Sequence, residues 1–340
     1  MLALVIGLLG AFALLELGLR FSNAVPEVAN PLYSFHEPDA VLGWRGKRDV
    51  RQRFHRPDFD VLIEHDGEGW RRKVPPAPAA PKRRILFLGD SFTWGWGVGQ
   101  GEVFTDRLQA AVGPEVEIVN RGVNAFGTAQ ELLLLEQELA KAHYDRVVVV
   151  MCGNDLEDNL DPRGGKRPGW RLAEDGSLVA VNQPARRLMS PVKQFVESHS
   201  RAVLFVAFLL NDLKRAAPRD EVVAWSIDPT RAAEADALGL RLLGELQERV
   251  RAHGADWRLV PVPMPDPEHP GAFAMGPDME RFLAHVEREL GVPTVSLLEP
   301  ANAAVASGTA IKFAHDNHWT VAGHRVVAET LLAAGVCAFP

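Results

Sequence analysis

From Arg84 onward, short unbroken apolar runs alternate with longer segments of helical period. That alternation restricts the chain to a parallel sheet with helices on both faces. Arg84–Gly89 reads Arg-Ile-Leu-Phe-Leu-Gly, and Arg146–Met151 is dominated by consecutive valines. Such runs suit strands buried on both sides, where the polar–apolar alternation of a half-exposed strand is lost. Further strands are predicted at Val116–Asn120, Trp257–Pro263 and Pro293–Leu298, making five. Helices are predicted near Val103–Val112, Thr128–Ala142, Arg231–His253, Arg281–Leu290 and Val321–Ala334. Thr128 and Glu131 have the spacing of a capping box at the start of the second of these helices. The fold class that follows is α/β, with an N-terminal hydrophobic segment in front of it.

That segment divides the chain. Residues 1–24 read as a signal anchor or a signal peptide: Met1–Leu19 is apolar except for Glu16, Arg20 follows, and Ser22 and Ala24 suit cleavage after Ala24. The protein is accordingly expected outside the cytoplasmic membrane, exported or anchored by this helix. Two observations oppose it. No Lys or Arg precedes the segment while Arg20, Arg45 and Lys47 follow, which the positive-inside rule reads the other way. Glu16 is also costly in a bilayer unless it has a partner. Residues 25–81 form an extension with a short strand at Asp60–Glu64, a turn at Asp66-Gly67 and a stiff Pro-rich linker, Val74–Pro81. Residues 82–340 hold the main domain, with an insertion at about 156–230. That insertion carries a basic Gly-rich loop (Pro162–Pro168), a hairpin signal at Asp175-Gly176 and a helix expected at Val196–Arg215. A net charge of −7 argues against nucleic acid as a partner. Cys152 and Cys337 are too few for a disulfide framework and read as free thiols.

Open α/β sheets gather reactive groups at the carboxyl ends of their strands. Here those ends read Gly89-Asp90-Ser91, Asn120-Arg121-Gly122 and Gly153-Asn154-Asp155, and the last loop before the closing helix reads His315-Asp316-Asn317-His318-Trp319. Together they offer a hydroxyl nucleophile, amide donors, and an imidazole beside a carboxylate, the inventory for acyl transfer. A serine hydroxyl needs a general base, the base needs a carboxylate to hold its tautomer, and the oxyanion needs pre-aimed donors. Singly, each motif has a bland alternative in turn or capping chemistry; their order along one sheet is what distinguishes them. Asp90 and Asp155 read as structural carboxylates. Trp94 and Trp96 either line a pocket or pack the sheet end, and His315 is either a site histidine or a solvated loop residue. His315, Asp316, His318 and His324 lack metal-ligand spacing, and neither metal nor cofactor is expected.

With these four blocks in hand, the chain resembles the SGNH/GDSL hydrolase family over about Arg84–Gly335, with Asp161–Thr230 as an insertion. The resemblance implies a three-layer α/β/α sandwich on a flavodoxin-like five-stranded sheet. It also implies Ser91 as nucleophile, His318 as base, and the Ser91 N–H, the Gly122 N–H and Asn154 as the oxyanion hole. The usual family pattern places the aspartate three residues before the histidine, a position occupied here by His315. Asp316 is therefore expected to orient His318. Its Asp-x-His-Trp form is similar to SGNH proteins of polysaccharide O-acetylation, including the alginate-acetylation type. The implied function is a serine esterase acting on an ester or a short acyl group, such as O-acetyl, on a carbohydrate. Two other readings are an O-acyltransferase for an envelope or secreted polysaccharide, with a membrane acyl-donating partner, and a non-catalytic glycan-binding protein.

Overall fold

The computed structural model describes residues 2–22, 34–160, 167–182, 200–203, 205–206, 209 and 227–339. In chain order the first elements are α1 (Leu2–Arg20), β1 (His36–Asp39), β2 (Gly43–Gly46), β3 (Arg51–Arg56) and β4 (Phe59–Glu64). The domain then runs β5 (Arg83–Gly89), α2 (Ser91–Trp94), α3 (Phe104–Val112), β6 (Val116–Gly122), α4 (Thr128–Leu139), β7 (Arg146–Met151) and α5 (Asn154–Leu160). After the hairpin β8 (Gly169–Leu172) and β9 (Leu178–Asn182) come α6 (Ala232–Ala252), β10 (Asp256–Pro261) and the short pair β11 (Met264–Pro265) and β12 (Phe273–Ala274). Helices α7 (Pro277–Leu290), α8 (Leu298–Ala306) and α9 (Val321–Ala333) close the chain.

The central sheet has the order β10-β7-β5-β6, and its strand pairs are parallel. Its strands are apolar throughout because each serves two cores. Leu86, Leu88, Val147 and Val149 face one side, with Leu135 of α4, Leu242 and Leu246 of α6, and Phe282 of α7. Ile85, Phe87, Val148 and Val150 face the other, with Phe104 and Leu108 of α3 and Val327 and Leu331 of α9. Adjacent residues thus enter opposite cores, as the two-residue period of a strand requires. Each such side chain contributes roughly 1.5–3 kcal/mol by leaving water. The result is the α/β/α sandwich that the resemblance implies.

The fifth strand expected at Pro293–Leu298 is not a strand. It touches the sheet at a single bridge, Leu259 with Thr294, flanked by Leu259 N to Pro293 O and Val295 N to Leu259 O. Pro293 has no N–H to extend the ladder. Ser296 Oγ then accepts from Leu298 N at 3.2 Å, and the chain turns into α8. The capping box also differs from its expected form. Gly127 is the N-cap and Thr128 the first helical residue; Gln130 Oε1 accepts from Gly127 N at 3.4 Å, and Glu131 is fully buried.

The irregular-looking N-terminal extension folds into two hairpins, β1–β2 and β3–β4, that pack on the domain. Leu42 and Trp44 join the first core; Phe35, Phe54, Phe59 and Ile63 join the second. Ahead of them, α1 exposes Leu4, Leu8, Leu9 and Leu14, and Glu16 has its partner after all. It accepts from the N–H groups of Arg201 (3.1 Å) and Ala202 (2.9 Å) and from Ser200 Oγ (2.9 Å). Among the described residues no helix is long and apolar enough to cross a membrane. Ala24, residues 162–166 of the basic loop and most of the helix expected at Val196–Arg215 lie outside the described residues. Asp175-Gly176 forms the β8–β9 turn, where Gly176 has φ +79° and Asp175 Oδ1 accepts from Ser177 N at 3.0 Å. Cys152 and Cys337 are free thiols.

Candidate active site

The in-register parallel ladder sets the site, because Gly89 pairs with both Gly122 and Val150 and so brings three strand ends level. Immediately after β5 the chain turns sharply into α2. Gly89 has φ +154°, and a Cβ there would lie 2.2 Å from Thr93 Oγ1 and 2.9 Å from Val150 O. Asp90 caps the short helix, its Oδ1 accepting from Phe92 N at 2.9 Å. Burial pushes the Asp90 carboxyl up to about 6, although the Phe92 N–H and the nearby His318 ring favour its charged form. Ser91 is thereby presented, partly exposed, at the first turn of α2.

Ser91 Oγ lies 2.6 Å from His318 Nε2. On the ring's other nitrogen, Nδ1 donates to Asp316 Oδ1, and the same oxygen accepts the His318 backbone N–H at 2.9 Å. With Nδ1 carrying the proton, Nε2 is left as an acceptor facing the serine. Burial works against the Asp316 charge, but hydrogen bonds from His318 and Trp96 outweigh it and hold the carboxyl down to about 2. Asp316 is therefore a carboxylate at neutral pH.

The expected amide donors divide. Asn154, at the start of α5, donates through Nδ2 to Asp158 Oδ2 at 2.9 Å, and Arg167 Nη2 donates to that same oxygen at 2.7 Å. An amide has a second hydrogen, so the Asn154 side chain is held without being saturated. The Gly122 N–H expected to face an oxyanion is instead donated to Asn120 Oδ1 at 2.8 Å. Position 122 is a glycine for a different reason: a Cβ would lie 2.2 Å from Trp94 N and 2.5 Å from Thr93 C, in the backbone of α2.

Three residues farther on, Ala125 has φ +61°. Trp44 Nε1 holds Asn124 O at 2.9 Å and Arg167 Nη2 holds Ala125 O at 2.7 Å, fixing the peptides on both sides. The Ala125 N–H makes no hydrogen bond among the described residues. A left-handed alanine costs about 1–2 kcal/mol, whereas glycine adopts the conformation freely at an entropic cost of about 0.5–1. Ala125→Gly is therefore expected to raise unfolding stability in urea by up to about 1 kcal/mol. A loss of stability would show that the surrounding clamps have absorbed the strain.

Of the two tryptophans left open, Trp94 is structural: it is buried, and its Nε1 donates to His65 Nε2 at 3.2 Å. Trp96 stands in the site, its Nε1 donating to Asp316 Oδ2 at 3.0 Å. His315 is largely exposed but anchored, its Nδ1 2.8 Å from Asp58 Oδ1 and its N–H donated to Asp58 Oδ2 at 2.8 Å. His324 is a buried acceptor for Phe104 N at 3.2 Å, and burial drives it down to about 3. Asp155 and Glu131 are fully buried with carboxyls raised well above the usual range, chiefly by that burial. Among the described residues no group of three His, Cys, Asp or Glu side chains is arranged to hold a metal ion. The sequence reading missed Asp58, Asp158, Arg167 and Trp44. Trp44 is marked only as a tryptophan inside a polar, irregular stretch, and Arg167 only as part of the basic Gly-rich loop.

A strand-end serine bonded to an imidazole that is bonded in turn to a carboxylate is the arrangement of a serine hydrolase site. The profile of the GDSL-like lipase/acylhydrolase family matches residues 87–326, spanning these blocks, and the chain belongs to that family. It is a hydrolase of the esterase/acylhydrolase type. Solved structures similar to it include a lipolytic protein of the G-D-S-L family from Veillonella parvula, with 14% identity, 75% of this chain and 98% of that one covered, and a TM-score of 0.42. A catalytic mutant of an acetylxylan esterase from Geobacillus stearothermophilus is 14% identical over 77% of this chain and 96% of that one, with a TM-score of 0.44. An alpha/beta hydrolase enzyme from the metagenome of Lake Arreo, Spain, is 16% identical over 77% and 98%, with a TM-score of 0.45. Comparison with curated proteins finds no match.

Proposed function

We propose that the protein is a serine esterase that removes a short acyl group, such as acetyl, from a carbohydrate ester through a Ser91 acyl-enzyme. The observation that carries the reading is the 2.6 Å contact between Ser91 Oγ and His318 Nε2, with Asp316 on the opposite nitrogen. In the first half-reaction Ser91 Oγ attacks the ester carbonyl while His318 Nε2 takes its proton. The tetrahedral intermediate collapses, His318 returns the proton to the departing sugar oxygen, and the acyl group stays on Ser91. Water then attacks with His318 again as base and releases the acid. The oxyanion of both intermediates is assigned to the donors left open at these strand ends. These are the Ser91 N–H, the second amide hydrogen of Asn154 and the Ala125 N–H; Gly122 joins them only if Asn120 lets go.

Hydrolysis is preferred over transfer because Ser91 and His318 are both partly exposed, so water reaches the acyl-enzyme. The reading places the enzyme outside the cytoplasmic membrane, and its support there is α1, where Leu4, Leu8, Leu9 and Leu14 are each more than half exposed. Incubation with an acetylated oligosaccharide, followed by mass spectrometry, tests the substrate class. Free acetate in step with deacetylated sugar is the expected result. Acetyl groups appearing on an added acceptor sugar instead of in solution would make the protein a transferase, and no acetyl loss would overturn the carbohydrate substrate.

A further inference from the structure

We infer that Trp96 is a positioning residue for the acid–base pair, its indole N–H fixing the second oxygen of Asp316 while its ring face holds the His318 imidazole toward Ser91. This rests on the reading of Ser91, His318 and Asp316 just given. Trp96 Nε1 donates to Asp316 Oδ2 at 3.0 Å, leaving Oδ1 to His318. The same indole is stacked on the imidazole, with ring centroids 5.0 Å apart and planes 20° from parallel. Phe92 also packs on the imidazole, with centroids 4.8 Å apart and planes at 33°. One side chain therefore constrains both members of the pair, the carboxylate by a donor and the ring by a face.

Trp96 is itself held on every side. Its N–H donates to Ser91 O at 3.1 Å, which ties it to the nucleophile's own turn. The glycines beside it, Gly95 and Gly97, have φ of +88° and +76°, and Arg71 donates to the carbonyls of Gly95 (3.1 Å) and Val98 (3.0 Å). Phe54 of the N-terminal hairpin meets the indole edge-on, with centroids 5.0 Å apart at 87°. The extension thus reaches the catalytic pair through Trp96.

The consequence appears in the transition state. Proton transfer from Ser91 makes the imidazole cationic, and a cation is attracted to an aromatic face. The carboxylate must meanwhile stay aligned with Nδ1 as charge develops, which a second donor on Oδ2 secures, much as outer partners orient metal-bound ligands. Both effects act on turnover and leave substrate binding alone. The titratable groups that interact with the ring are Asp316, Asp90 and His324, none of which the substitution alters.

The test is Trp96→Phe in the full chain, assayed with p-nitrophenyl acetate across pH 5–9, with Ser91→Ala in parallel. Phenylalanine keeps an aromatic face and removes the N–H. The expected result is a kcat at least tenfold lower, KM within twofold, and an acid limb moved to higher pH, because a carboxylate relieved of one donor holds the ring's proton more firmly. Unchanged kcat and limb would overturn the inference, and so would a raised KM with unchanged kcat, which would make Trp96 a substrate wall. Full activity in Ser91→Ala would overturn the site reading itself, a separate outcome. Should Trp96→Phe fail to fold, β-(3-benzothienyl)alanine at position 96 exchanges only the N–H for sulfur, and the same kcat, KM and pH comparisons decide the matter.

Discussion

Ser91→Ala is expected to lower kcat for p-nitrophenyl acetate by about 10⁴-fold or more, the scale on which serine hydrolases respond to loss of the nucleophile. Among the described residues nothing else at the site replaces it. Cys152 is fully buried with its thiol raised well above the usual range, chiefly by that burial, so it offers no thiolate. The fold should be indifferent to the change. Among the described residues the Ser91 side chain hydrogen-bonds to His318 alone, and its helix is capped by Asp90. The urea midpoint is therefore expected to stay within about 0.5 kcal/mol of the parent, as for substitutions away from buried networks. What remains of the rate would come from the oxyanion donors and binding alone, which act without the serine. A variant that keeps its fold and also keeps a rate within tenfold of the parent would place the chemistry elsewhere.

How much of this was legible beforehand follows from the range of each signal. Strands β5 and β7 announce themselves because a strand serving two cores is apolar at every position, as Ile85–Leu88 and Val147–Val150 are. Ser91 and Asn154 are legible because a parallel sheet must deliver its strand ends to one edge, whereas Asp316 and His318 lie in the loop before α9 and are marked only by their residue types. The segment Pro293–Leu298 carries the same apolar look, yet a proline and a serine there decide for a turn and a helix. The N-terminal extension gave no period because two short hairpins are too brief to show one. They are held by isolated aromatics such as Phe54 and Trp44 that pack on distant parts of the domain. Gly122 misled for a related reason. Its missing side chain makes room for the α2 backbone, a close approach between segments that no local pattern records. The pairing of Asp58 with His315, across 257 residues, belongs to the same class.

That pairing sharpens the second large expectation, because it brings a competing carboxylate, from the β3–β4 turn, against the same loop. Asp316→Asn is expected to lower kcat about 10⁴-fold, the cost of replacing the orienting aspartate in such a site, whereas Asp58→Asn should cost less than tenfold. Both oxygens of Asp316 accept: Oδ1 from the His318 ring and backbone N–H, Oδ2 from Trp96 Nε1. An asparagine has one acceptor and one donor end. If its oxygen serves His318, its NH₂ opposes the Trp96 N–H, donor against donor. If it flips, the NH₂ faces the ring, the imidazole moves its proton to Nε2, and Ser91 Oγ meets a donor where it needs an acceptor. The flipped arrangement loses the base, and the first keeps it only against the Trp96 N–H and without the negative charge that stabilises the imidazolium, so the effect should appear in kcat while the side chain's volume and the fold are kept. The expected residue three before the histidine is absent here, and His315 in its place is tied to Asp58 instead. Should Asp58→Asn prove as damaging as Asp316→Asn, the orienting role would have to be shared between the two carboxylates, with His315 carrying the coupling.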